Sequence, residues 1–368
     1  MKSVDLFCGA GGFTEGLRQA GYNAILANDF DEMACKTFSY NHPEVPIVCR
    51  DIARLSVQEV LEKTGLRKGE LNLVVGGPPC QGFSLAGRRM IDDPRNRMFL
   101  EFVRIVEGLH PHAFVFENVS GIQTMQKGEV VKAIVAAFED IGYNCEYRVL
   151  NSADYGVPQK RPRFILIGSR SNEKIGFPSP THGAVTGQAR LFGDSLQPYV
   201  TSWEALSDLP IIEQGQGDEE LSHSGDYFNQ YQSARRGNRV PGKIFNHRAT
   251  SHSEKIIERY AAIPEGGDNS QVPEHLRTKK VNVYKIHSEM PARTVTCNHR
   301  TDLLHPKIPR GTTVREAARL QSFDDDYRFF GNLTRKAKWV TQDDQVGNAV
   351  PPLLARAIGL HLKNKMGW

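Results

Sequence analysis

The chain predicts an α/β protein built on a parallel sheet, with a second, smaller and less regular domain. Three observations predict this. Strand-like and helix-like patterns alternate along residues 4–170. A glycine-rich stretch, Asp5-Leu6-Phe7-Cys8-Gly9-Ala10-Gly11-Gly12-Phe13, ends the first apolar run. A second break, Gly-Gly-Pro-Pro-Cys-Gln-Gly-Phe-Ser at 76–84, directly follows the apolar run Leu71–Val75.

In chain order, the strand candidates are Val4–Cys8, Ala24–Asn28, Ile47–Cys49, Leu71–Val75, Ala113–Phe116 and Phe164–Ile167. Short apolar runs bounded by turn residues are what strands buried on both faces require. Helical patterns such as Phe30–Tyr40 and Val130–Ile141 fall between them. After Phe177-Pro178-Ser179-Pro180 the alternation stops, and residues 181–285 are rich in Gly, Ser, Asn and His. Charges are segregated there. An acidic stretch holds Glu213, Asp218, Glu219, Glu220 and Asp226, and a basic one holds Arg235, Arg236, Arg239, Lys243 and Arg248. Regular pattern returns late: Thr312 or Thr313 can cap a helix running through Phe323, and Leu353–Leu362 reads as a closing helix. The expected domains are 1–177, 178–290 and a return segment 291–368 that completes the first.

A chain of 368 residues with 39% hydrophobic and 24% charged residues fits a soluble globular protein. A net charge of +4 is weak evidence for a polyanionic partner and needs local clustering to support it. The six cysteines are scattered, without a Cys-x-x-Cys pair, so neither a metal site nor a disulfide framework is expected. That favours a reducing, cytoplasmic setting. The N-terminus has no signal-peptide core, and no apolar run approaches membrane-spanning length.

Cys80 carries the strongest chemical signal. Ligands of open α/β sheets bind beyond the carboxyl ends of the strands, and a thiol between prolines and the polar Gln81, Gly82 and Ser84 is placed to react rather than to pack. The glycine loop at 9–12 lets the backbone approach a ligand, though Thr14 departs from the dinucleotide fingerprint. Asp29, ending the second strand, stands where an acid would hold ribose hydroxyls, so a nucleoside-like cofactor is favoured. Asp51-Ile52 follows the third strand; Asp51 can read an adenine edge or simply cap a helix. Glu117, in Glu117-Asn118-Val119, is a candidate acid, because burial raises a carboxyl pKa towards neutrality. Arg161 and Arg163 alternate and would share one face of an extended segment, suited to a polar substrate or phosphates.

Together these pieces closely resemble the cytosine-C5 DNA methyltransferases. The resemblance covers 4–170 and 291–352. It rests on Phe7-x-Gly9-x-Gly11-Gly12, Gly77-Pro78-Pro79-Cys80-Gln81, Glu117-Asn118-Val119, Gln159-x-Arg161-x-Arg163, Arg315-Glu316-Ala317-Ala318-Arg319-Leu320-Gln321-Ser322-Phe323 and Gly347-Asn348-x-Val350-Pro351, in the family's order. It implies a Rossmann-like S-adenosylmethionine-dependent methyltransferase sheet with a smaller irregular target-recognition domain. It also implies transfer of a methyl group from S-adenosylmethionine, leaving S-adenosylhomocysteine, to C5 of a flipped cytosine in double-stranded DNA, with no metal. Cys80 is then the nucleophile at C6. Glu117 holds N3 and the exocyclic amine, Arg163 contacts the base near O2, and Arg161 assists at the site or a phosphate. Phe7, Gly9, Gly11, Asp29, Phe30, Asp51, Ile52, Pro79, Met98 and Asn348 match positions lining the cofactor pocket.

The polar segment 83–97, with Arg88, Arg89, Arg95 and Arg97, reads as a loop that closes over the flipped base and meets phosphates. Arg235, Arg236, Arg239 and Arg248, with Tyr231 and Phe245 nearby, are the candidate DNA contacts of the 178–290 segment; Arg293, Thr294 and Arg300 flank the return to the first domain and are further candidates for contact with the DNA backbone. Departures from the pattern are small: Asp29 for the usual Glu, Arg50 before Asp51, and Asp324 where Pro commonly follows Ser-Phe. The expected setting is a bacterial restriction–modification system, with a monomeric enzyme and a cognate endonuclease. An RNA-acting relative and a nucleic-acid-binding protein without catalysis are the competing readings. The former lacks support because its Cys-Phe-Thr stretch is missing, the latter because Cys80, Glu117 and Arg163 are intact.

Overall fold

The computed structural model of the chain describes residues 1–79, 97–184, 196–223, 225–280, 282–333 and 338–368. The chain divides by its contacts into two compact units. The first comprises Met1–Asn151, Pro162–Ser179 and Ala355–Trp368; the second comprises Ser152–Arg161 and Pro180–Leu354.

The first unit is a mixed sheet of seven strands flanked by helices. In chain order it runs β1 (Lys2–Leu6), α1 (Gly12–Gln19), β2 (Asn23–Asp29), α2 (Glu32–Asn41), β3 (Ile47–Cys49), α3 (Val57–Thr64), β4 (Leu73–Gly76), α4 (Arg97–Leu109), β5 (Ala113–Val119), α5 (Glu129–Glu139), β6 (Asn144–Asn151) and β7 (Pro162–Ser169). The strand order is β3-β2-β1-β4-β5-β7-β6. Every strand candidate lies in this sheet, offset by a few residues.

The expectation of an all-parallel sheet is corrected: β7 runs antiparallel to both β5 and β6. The short connection 152–161 explains this, since parallel neighbours need a crossover of a dozen residues or more, usually through a helix. β6 escaped the strand reading because it is an edge strand. Its exposed Tyr147 and Arg148 break any continuous apolar run. Helix α2 starts at Glu32 rather than Phe30 because Asp31 caps it, accepting from the N–H groups of Met33 and Ala34 at 2.9 Å each.

The core lies between β1, β4, β5 and β7 and the helices α4 and α5. Leu73, Val74, Val75, Phe114, Phe116, Phe99, Phe102 and Phe138 are all fully buried. The phenylalanines meet edge to face, for example Phe99 against Phe116 with centroids 5.9 Å apart. The closing helix, Pro352–Met366, is longer than the expected Leu353–Leu362. Within the first unit its Gly359 carbonyl accepts from Tyr22 Oη at 3.1 Å.

The second unit is organised around the helix Val314–Leu320, capped by Thr313 in a reciprocal pair with Glu316. It ends at Leu320, short of the expected Phe323. This helix packs on the strand Lys243–Arg248 and on the helix Ser202–Leu206. Residues 291–354 group with 180–290 in this division.

Arg315 and Arg319 are fully buried. Arg315 donates to the Phe245 carbonyl, and Arg319 pairs with Asp208 and Asp325. Burial alone would raise the Asp325 carboxyl; the Arg319 guanidinium outweighs it and holds that carboxyl below the usual carboxylate range. Among the described residues no helix is long and apolar enough to cross a membrane.

One contact tests the packing of β7 on β5. A Cβ built on Gly168 would lie 2.0 Å from Phe114 Cε1. Gly168→Ala is expected to lower stability by about 1–3 kcal/mol through overpacking, read as a shift of the urea midpoint at unchanged slope.

Candidate active site

The site residues of the first unit collect at one edge of its sheet, where β1, β2, β4 and β5 end. Strand β1 stops at Leu6 and the chain turns sharply. Phe7 has φ +56°, Gly9 φ +52° and Gly11 φ +90°. Left-handed backbone is costly for a bulky residue such as Phe7 and marks a strained turn. A Cβ on Gly9 would meet no atom within 4 Å, so its outer side is open for a ligand to approach closely. Inward, the Gly9 N–H donates to Asp29 Oδ2 at 2.8 Å.

Asp29 ends β2 and accepts a second backbone N–H, from Asp31, on Oδ1 at 3.0 Å. Burial raises its carboxyl pKa, and these N–H bonds oppose the shift. The next residue, Phe30, is 63% exposed although it is a large aromatic. An open glycine loop, an anchored carboxylate and a bare aromatic ring are what a nucleoside-bearing ligand requires. The residues present therefore fit S-adenosylmethionine.

Asp51 accepts from the Ala53 N–H at 2.9 Å and caps the 3-10 turn Ile52–Arg54. The capping alternative is thus realised, with Asp51 Oδ2 4.0 Å from Arg97 Nη2 at the start of α4. Ile52 is buried, Pro79 exposed, and Met98 packs in part on the core.

Sequence reasoning missed Asp5 and Thr14. Asp5 is buried and accepts from Thr14 Oγ1 at 2.7 Å, which ties the glycine loop back to β1. Burial raises the Asp5 carboxyl to about 7, with the Asp29 carboxylate adding to the rise. The Thr14 that breaks the dinucleotide fingerprint was the available signal.

Glu117 and Arg163 form the centre of the second cluster. They face each other across β5 and β7, with Arg163 Nε 2.9 Å from Glu117 Oε1 and both side chains about nine-tenths buried. Arg163 reaches this edge only because β7 runs antiparallel; its start, opposite Val119, lies where β5 ends. Gly77 borders the same carboxylate, and a Cβ there would lie 2.8 Å from Glu117 Oε2. Asn118, also unassigned from sequence, donates to the Pro78 carbonyl at 2.9 Å and so fastens the proline turn two residues before Cys80. Cys80 itself, and Arg88, Arg89 and Arg95 with most of the expected closing loop, lie outside the described residues.

Several expectations need correction. Arg161 does not share a cluster with Arg163. It belongs to the second unit, is fully buried, and donates to the carbonyls of Val295, Gly347 and Ala349 at 2.8, 2.6 and 3.1 Å. Through these bonds its guanidinium holds the backbone of two segments, 295 and 347–349, of the same unit. The basic run is likewise mostly internal. Arg235 is buried and 2.9 Å from Asp324, Arg239 pairs with Asp324 and Asp326, and Arg236 pairs with Asp208. Of the four arginines offered for DNA contact there, Arg248 is the exposed one. Asp324, the departure from the family's proline, is what Arg235 and Arg239 pair with. Asn348 is exposed in the second unit and accepts from the Cys297 thiol at 3.2 Å.

The sequence profile of the C-5 cytosine-specific DNA methylases matches residues 1–364. The chain is 37% identical over 387 residues to the Type II methyltransferase M.DdeI of Desulfomicrobium norvegicum, spanning 100% of this chain and 89% of that protein. It is 37% identical over 361 residues to M1.HphI of Haemophilus parahaemolyticus, spanning 96% and 84%. Among solved structures, a candidate DNA modification methyltransferase encoded within an E. coli prophage superposes with TM-score 0.77 at 27% identity, over 100% of both chains. The S. pombe Dnmt2 methyltransferase gives TM-score 0.62 at 16% identity over 100% of both chains, a likeness of fold alone.

Two measurements probe this geometry. Gly77→Ala displaces the Glu117 carboxylate and is expected to cut turnover on the order of 100-fold, with ligand binding at the glycine loop retained in calorimetry. For Asp5, the folded pKa lies above the unfolded one. Its contribution is therefore fully present below the unfolded value near 3.8 and lost as pH rises to about 7. Thermal melts of Asp5→Asn against the parent should shift in the variant's favour between those pH values and stay level above.

Proposed function

Because this chain belongs to the C-5 cytosine-specific DNA methylase family, and is thus a cytosine-5 DNA methyltransferase, we propose that it methylates one cytosine of a specific duplex site through a covalent Cys80 intermediate. The observation that carries this reading is the buried Glu117–Arg163 pair at the sheet edge where Gly77-Pro78-Pro79, the residues preceding Cys80 in sequence, leave β4. The methyl donor is S-adenosylmethionine, which supplies an electrophilic sulfonium methyl. Asp29 and Phe30, with the open backbone of Phe7, Gly9 and Gly11, hold its nucleoside portion; Asp51, Ile52, Pro79 and Met98 complete the pocket.

The chemistry follows from the poor nucleophilicity of C5 in an aromatic ring. The Cys80 thiolate bonds to C6, the C5–C6 double bond is lost, and electron density moves to C5. C5 takes the methyl group. Loss of the C5 proton and of the Cys80 sulfur then restores the double bond, so one hard step becomes easier ones. A free thiol with pKa about 8.5 is mostly protonated at neutrality, so the site must favour the thiolate. Glu117 holds N3 and the exocyclic amine, and Arg163, fixed by that same carboxylate, meets the base near O2. A base inside a duplex cannot reach such a site, so the nucleotide is flipped out at a cost of a few kcal/mol. We assign Arg88, Arg89, Arg95 and Arg97 to phosphate contacts. Residues of 178–290 choose the cytosine, and a cognate endonuclease completes the restriction–modification pair.

Bisulfite sequencing of plasmid from expressing cells is expected to show one sequence-specific 5-methylcytosine; methylation of transfer RNA with DNA untouched would replace this reading. Cys80→Ala should bind the cofactor and give no tritiated-methyl transfer. Duplex carrying 5-fluorocytosine at the target should trap a protein–DNA adduct that survives denaturing electrophoresis, since fluorine cannot leave as a proton does.

A further inference from the structure

With the arginines at 235, 236 and 239 paired with carboxylates, Arg248 is the one exposed arginine of the expected DNA-contact run, and more cations are needed to hold a polyanion. We propose that the strip formed by Arg277, Lys279 and the stacked Arg293 grips the DNA phosphates. The proposal rests on the reading of the chain as a DNA methyltransferase and names the surface that reading requires.

The strip is charged, exposed and rigid. His275, Arg277, Thr278, Lys279 and Lys280 are all exposed, with Glu274 the one acid in that run. Their backbone is nevertheless pinned. Leu276 is buried in an apolar cluster with Tyr260, Ile263, Val272, Val283 and Leu304. Buried Asn269 donates from Nδ2 to the carbonyls of Thr278 and Lys280 at 3.2 Å each. Arg277 Nε donates to the Val272 carbonyl at 3.0 Å, which orients the guanidinium. Lys280 is engaged with Asp302 and Thr301, which leaves Arg277 and Lys279 to carry the contact.

Arg293 is held differently. Its guanidinium carbon lies 3.8 Å from the centroid of the Tyr284 ring, while the residue as a whole is exposed. A guanidinium laid flat on an aromatic face keeps its edge donors for planar acceptors such as phosphate. Tyr284 bridges to Asp268, the neighbour of Asn269, so the stack adjoins the pinned run. Asp268 accepts from the Ser270 hydroxyl and N–H on Oδ1 at 2.6 and 2.8 Å; these bonds hold its carboxyl below the usual range, and the Arg293 guanidinium adds to that lowering. Cations fixed in advance on a packed surface lose little entropy when an extended polyanion binds.

Salt dependence reads phosphate contacts directly, because each neutralised phosphate adds about 0.9 to the slope of log affinity against log salt. The full chain and its variants would be titrated with labelled duplex carrying the methylated sequence across a range of KCl. Arg277→Ala with Lys279→Ala is expected to lower the slope by about two, and Arg293→Ala by about one. The KM for DNA should rise while kcat at saturating DNA and S-adenosylmethionine affinity stay at the parent values. Lys279→Glu, a surface change that leaves the buried cluster intact, should weaken DNA binding further. Arg67→Ala, an exposed residue of the first unit, should leave the slope unchanged. Unchanged slopes in the strip variants, in a parent that methylates DNA, overturn the strip alone. A parent that methylates no DNA overturns the underlying reading as well.

Discussion

The Glu117–Arg163 ion pair is the contact on which the site depends. Both groups are nearly out of solvent, and losing one partner of such a pair leaves the other charge buried, which typically costs about 3–5 kcal/mol. The pair cannot exist without the reversed strand β7, because only an antiparallel neighbour brings the start of Pro162–Ser169 to the end of Ala113–Val119. The topology and the chemistry are therefore one constraint. Gly77 has no room for a side chain beside that carboxylate, and Asn118 fastens Pro78 from the next position on the same strand. Three separate motifs meet because two strands run in opposite directions.

The second unit shows how arginines that look like ligands for DNA can be framework. Arg315 and Arg319 have no exposed surface, and Arg235 has little. A buried guanidinium needs acceptors for its planar fork of donors, and Asp208, Asp324, Asp325, Asp326 and several carbonyls supply them. The triple aspartate at 324–326 lies between 85 and 91 residues along the chain from Arg235 and Arg239. The two runs neutralise each other only after folding.

Much of the architecture was legible in the residues. The apolar runs between turn residues marked the central strands, since strands buried on both faces need continuous hydrophobicity. Asp29 was placed correctly at the end of β2, and Thr313 was one of two candidate caps. Where the reading failed, the missing information was non-local. β6 carries polar residues because it lies at the sheet's edge. The direction of β7 depends on a connection without a helix. The fates of Arg161, Arg235 and Arg239 depend on acceptors far away in sequence.

The sequence by itself determined the motifs, their order and hence the family, because each motif is a local demand: a glycine for a left-handed turn, a proline turn after a strand, an acid at a strand's end. Only the tertiary structure decided which charged side chains face solvent and which face each other. Pairing energies depend on distance and burial, and both are properties of the folded chain that no single segment carries.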